Sequence, residues 1–188
     1  MSATSCLRKD HTYIVNRLRS IAYGYSEYIY ISNDVPVNEV KHILIVIEAF
    51  ISMYHHYKEE CSYFPRVNGT ELEQEANALK IEHELGGRIA RMLNSNLENW
   101  LNTRRNSEPI ARMLKAYADY LTVHMEREER FFDAYDAKVP ESEQSKVREE
   151  FNNIRMERMP EHVMDGIIEI LNMLEKNLTK YLQNNNKN

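Results

Sequence analysis

Two stretches of this chain place a histidine four residues before a glutamate. In HHYKEE, residues 55–60, the pairs are His55 with Glu59 or His56 with Glu60, and in HMEREE, residues 124–129, the pair is His124 with Glu128. On an α-helix, residues four apart lie one above the other on one face. A single rigid rod therefore offers one imidazole and one carboxylate to the same metal ion. Two such rods facing each other supply two of each, enough for a pair of ions bridged by carboxylates, as in carboxylate-bridged di-iron bundles. One His-x-x-x-Glu is a weak signal, because both residues are common on helix surfaces. Two of them, with further histidines on the stretches before and between, point to a metal site.

The elements that must position these residues are long helices. Glycines and prolines are few, five of each in 188 residues, and they fall between long periodic runs. Helices are expected over about residues 4–32, 37–64, 71–101 and 108–137, each roughly 40 Å long at 1.5 Å per residue. Asn33-Asp34-Val35-Pro36, Pro65 with Asn68-Gly69, and Ser107-Glu108-Pro109 mark the breaks, and Thr70-Glu71-Leu72-Glu73 has the form of a capping box. Short connections force antiparallel neighbours, so the fold class is all-α, an up-down-up-down four-helix bundle. Two further helices are expected at about 141–158 and 161–183. The domain reading is a bundle over residues 1–137, a helical extension packing on it over 138–183, and a disordered tail at 184–188.

In an antiparallel bundle, ligands at one height must alternate in depth. His11 lies early in the first helix, His55 late in the second, His83 early in the third and His124 late in the fourth. Four helices thus present these residues in one layer towards one end. His42 and His162 lack a carboxylate four residues on and sit at other levels, so they read as ordinary helical histidines. Burying imidazoles and carboxylates together is costly without compensation. Metal coordination compensates, and a His/Glu set suits iron or manganese. Cysteine ligation is absent from the pattern, which argues against structural zinc.

Other classes recede. Net charge is −5 and no basic stretch exceeds Arg104-Arg105, so a nucleic-acid groove is not expected. The amino terminus has no apolar signal region, and no apolar run approaches membrane-spanning length. Cys6 and Cys61 have no metal or redox spacing, and the expected setting is the reducing cytoplasm.

With these residues in place, the sequence resembles the hemerythrin-like (HHE cation-binding) family. The motifs that carry the resemblance are Asp10-His11, His55 to Glu60 followed by Tyr63-Phe64-Pro65, Glu82-His83, and His124 to Glu128. The resemblance implies two non-haem irons with carboxylate and oxo bridges, and a small diatomic ligand or peroxide as partner. His11, His55, His83 and His124 would be terminal ligands, and Glu59 and Glu128 bridges. The expected function is a di-iron protein that binds, senses or reacts with dioxygen, nitric oxide or peroxide. Its rivals are an enzyme that detoxifies peroxide or nitric oxide or donates iron for iron-sulphur repair, and a metal-free helical interaction module. Oxygen-carrying members have a second histidine four residues after the one on helix three; here that position is Gly87.

One register stays open. The apolar face of helix two runs through Ile43, Val46, Ile47, Phe50, Met53, Tyr54, Tyr57, Cys61 and Phe64, which favours His56/Glu60. The family pattern selects His55/Glu59. The latter requires helix two to bury a second face, under helices five and six or against a second subunit in a homodimer. His56 is then an additional ligand or a group that positions one. Gly86 and Gly87 share the face of His83, leaving space for a small ligand or for close helix packing. Tyr13, Tyr57, Tyr117 and Tyr120 lie near candidate ligands, with core packing as their simpler role. Glu48 reads as a supporting acid or a solvated residue, and Cys61 as a small buried one.

Overall fold

The computed structural model describes residues 2–185, and they contain helices but no strand. Six helices follow one another. We label residues 4–32 α1, in which Thr4–Asp10, a π-helical turn His11–Val15 and Asn16–Ser32 run on continuously. Residues 37–67 form α2: Val37–Val46, π-helical Ile47–His56 and Glu59–Tyr63, and a closing 3₁₀ turn Phe64–Val67. Then come α3 (Glu73–Thr103), α4 (Glu108–Lys138), α5 (Glu141–Arg158) and α6 (Glu161–Asn185). Of the expected tail, residues 186–188 lie outside the described residues.

The breaks have local causes. Asn33, in the left-handed region at φ 54°, closes α1 with its N–H on the Ile29 carbonyl. Arg104, also at φ 54°, closes α3, and Pro109 sits in the first turn of α4, where a missing N–H costs nothing. The expected capping box is displaced. Thr70 Oγ1 accepts from the Leu72 N–H and Glu73 reaches back to the Gly69 N–H, so α3 starts two residues later than that motif predicts.

The first four helices alternate in direction. The start of α1 meets the end of α4 through Arg8 and Glu129, the end of α3 meets the start of α4 through Asn96 and Pro109, and the end of α2 meets the start of α1 through Lys58 and Asp10. α6 lies along α1, where the Tyr25 hydroxyl donates to the Leu174 carbonyl (2.9 Å) and Arg17 pairs with Glu175 (2.8 Å). α5 covers α2: Phe151 faces Lys58, and the Arg158 guanidinium lies 3.5 Å from the Tyr57 ring centre. Helix two therefore does bury a second face, beneath α5.

The π-helical stretches resolve the register conflict. An i→i+5 turn carries an extra residue, and each such insertion rotates the downstream residues by about 100°. The apolar stripe of α2 holds through Ile43, Val46, Ile47 and Phe50, all buried. Beyond them Met53 and Cys61 turn outward, while His55, His56, Lys58 and Glu59 turn in. Cys61 is exposed, not the small buried residue expected from a straight 3.6-residue period.

Candidate metal centre

Two apolar clusters fill the bundle, one around Phe50, Leu114 and Tyr117, the other around Tyr63, Phe131 and Phe132. Between them lie all seven candidate residues, each buried: His11 on α1, His55, His56 and Glu59 on α2, His83 on α3, and His124 and Glu128 on α4. Their donor atoms form three overlapping groups, each within 4.8 Å: His11, His55 and Glu128; Glu59, His83 and Glu128; His56, His83 and His124. Neither His42 nor His162 joins a group among the described residues.

Glu128 is the hub. One carboxylate oxygen stands 3.1 Å from His11 Nε2, and the other 3.1 Å from His124 Nε2 and 3.6 Å from His83 Nε2. Glu59 Oε2 lies 3.4 Å from His83 Nε2 and 3.9 Å from His55 Nε2. The rings of His56 and His83 stack face to face, 3.7 Å between centres. The doubled histidine of HHYKEE thus puts both imidazoles inside. Glu60 has a side chain 42% exposed and takes no place among the inner donors.

The outer nitrogens follow a closed rule. Each Nδ1–H donates to a carboxylate carried by a neighbouring helix. Asp10 of α1 holds His55 of α2 (3.1 Å), Glu60 of α2 holds His83 of α3 (2.6 Å), Glu82 of α3 holds His124 of α4 (2.8 Å), and Glu129 of α4 holds His11 of α1 (3.2 Å). Such bonds fix tautomer and ring orientation, leaving each Nε2 free to face inward. Three of the four carboxylates are in turn held by a cation: Asp10 by Lys58, Glu82 by Arg127 and Glu129 by Arg8. Glu60 has no such partner among the described residues. Sequence reasoning missed this ring. Its signal is that every member adjoins a candidate ligand in the chain, and neighbours about 100° apart on a helix face the next helix over.

The donor set fits a cation. Both oxygens of Glu59 and of Glu128, with His83 Nε2 and His124 Nε2, are buried without an aligned hydrogen bond. Buried polar atoms are normally paired, and six orphans in one spot need a positive ligand. Electrostatics agree. Burial opposes ionisation of Glu128, but His124, His11 and His83 outweigh it and hold its carboxyl well below the usual range. Burial and the Glu128 charge push Glu59 well above it. Burial works against protonating His11 and His124, yet Glu128, with Glu129 or Glu82, raises each to about 9. Burial lowers His55 to about 4, against the pull of Asp10. Without metal, protons are favoured on His11, His124 and Glu59.

A cleft of about 720 Å³ between α2 and α3 opens from the surface onto His56 and His83. Gly87 lines it, along with Glu48, which is solvated. Gly86 faces inward, and its missing side chain is filled by the ring of Tyr120, not by a ligand-sized space. Of the four tyrosines, Tyr120 reaches a ligand, its ring stacked on His124 at 5.2 Å. Tyr13 is exposed, Tyr57 lies under Arg158, and Tyr117 is core.

A family model described as the hemerythrin HHE cation-binding domain matches residues 2–135. The chain belongs to that family. No curated protein and no solved structure matches it. As a hemerythrin HHE domain, it brings His/Glu groups able to hold a metal into one layer of the bundle. It differs from the oxygen-carrier pattern in having Gly87 where a fifth histidine would enter from α3, while His56 enters from α2 instead. No helix among the described residues is long and apolar enough to cross a membrane.

Proposed function

We propose that this hemerythrin HHE domain is a di-iron protein that binds, senses or reacts with a small oxidant: dioxygen, nitric oxide or peroxide. The observation that carries the reading is the ring of four outer carboxylates, which aims four Nε2 atoms at two buried glutamates whose oxygens have no aligned hydrogen bond. His11 and His55 would hold one ion, His56, His83 and His124 the other, with Glu59 and Glu128 between them. His, Glu and no cysteine suit iron. Bound iron would supply Lewis acidity and one-electron chemistry. The chain's own part is to orient the imidazoles, to exclude bulk water between two apolar clusters, and to release protons from His11, His124 and Glu59 as cations enter. Two free cysteines accord with a reducing, cytoplasmic setting.

A second reading, turnover of the oxidant in place of reversible binding, is favoured by the cleft that opens directly onto His56 and His83. Rapid mixing of the iron-loaded, reduced protein with oxygenated buffer, nitric oxide or hydrogen peroxide tests both. The expected result is an absorbance change with at least one of these oxidants, lost in Glu128→Ala. Repeated consumption of oxidant marks turnover, and inertness to all of them contradicts the proposal.

A further inference from the structure

Tyr120 is 8% exposed, yet its hydroxyl is shut off from solvent and meets no hydrogen-bond partner among the described residues. A buried hydroxyl with its bond unmade is costly, so the arrangement calls for a missing acceptor. Tyr120 stands one turn before His124 on α4. From the facing helix Gly86, one turn after His83, admits the ring: a Cβ there would come within 2.8 Å of the hydroxyl oxygen and closer still to the ring. The phenol thus stacks on His124 at 5.2 Å and sets its hydroxyl against Gly86, one turn from His83, next to the His83–His124 side of the donor set.

From this geometry we infer that Tyr120 is a ligand-binding residue: its hydroxyl donates a hydrogen bond to a small anion held at the His56–His83–His124 end of the site. The inference rests on the metal-centre reading. The ligand class is a compact anion that carries a hydrogen-bond acceptor beyond its metal-binding atom. Gly86 is the residue that makes room for the donor, and its absent side chain serves the tyrosine.

Azide is a suitable probe. Iron content is measured first in wild type and in Tyr120→Phe, then azide affinity of the iron-loaded forms, then melting of the metal-free forms. The expected result is equal iron content, azide binding roughly tenfold weaker in Tyr120→Phe, and metal-free melting unchanged or raised, since the variant removes an unpaired group. Gly86→Ala, which forces the ring aside, should weaken azide in the same way. Equal iron content with unchanged azide affinity overturns the role of Tyr120 and leaves the metal centre standing. A fall in metal-free melting in Tyr120→Phe also overturns it, because the hydroxyl then has a protein partner. A wild-type protein that takes up no iron overturns both.

Discussion

At the scale of single residues, Glu128 joins three helices, since His11, His83 and His124 all approach one fully buried carboxylate. Its charge holds His11 and His124 protonated in the metal-free protein. Both titrate at about 9 when folded, against 6.5 when free. The stability they contribute is complete below about pH 6.5 and is lost as pH rises through about 9. Denaturation of metal-free protein should therefore show lower stability at pH 9 than at pH 6. A flat profile would contradict the pairing. Lys58 offers a second test. It is 1% exposed, paired with Asp10 and packed over Tyr54, and Asp10 in turn holds His55. Lys58→Met leaves that carboxylate uncompensated and should destabilise the fold by about 3–5 kcal/mol. Adding Asp10→Asn should restore part of the loss, and a denaturant titration of the single and double variants measures both.

At the scale of elements, the π-helical stretches decide what was legible. His11, His83, His124 and Glu128 could be placed from spacing alone, because α3 and α4 are regular and α1 reaches its π turn at His11 itself. Helix two could not. Periodicity put Met53, Tyr57 and Cys61 on the buried face, and the i→i+5 turns between Ile47 and Tyr63 rotate that face away in favour of His55, His56, Lys58 and Glu59. Nothing in the composition of IEAFISMYHH announces a π-helix, whereas the two adjacent histidines needed one to face inward together. Deleting exposed Met53 should shorten this stretch towards regular α-helix and turn the downstream ligands by about 100°. The expected outcome is retained helical circular dichroism with metal uptake lost. Unchanged metal uptake would show that the π-helical turns do not set the register.

At the scale of the whole molecule, the bundle is closed on two sides by α5 and α6 and left open on the third. α5 lays Phe151 over Lys58, and α6 lies along α1 with Leu171 and Leu174 fully buried. The gap between α2 and α3 is where the cleft reaches His56 and His83, and it adjoins Glu60, the one outer carboxylate with no cation behind it among the described residues. The four-helix arrangement followed from the hydrophobic period and short connections. A cover over the second face of α2 was expected, but the choice of α5 over a second subunit was not legible, because the apolar residues of α5 are too few to reveal which face they meet. The measurement that bears most directly on the metal centre is metal content after anaerobic reconstitution with ferrous iron, desalting and elemental analysis. The predicted result is a pair of irons per chain in the wild type, falling sharply in Glu128→Ala and in His124→Ala. A wild-type protein that retains no iron, with both variants indistinguishable from it in metal content and melting temperature, would contradict the metal centre.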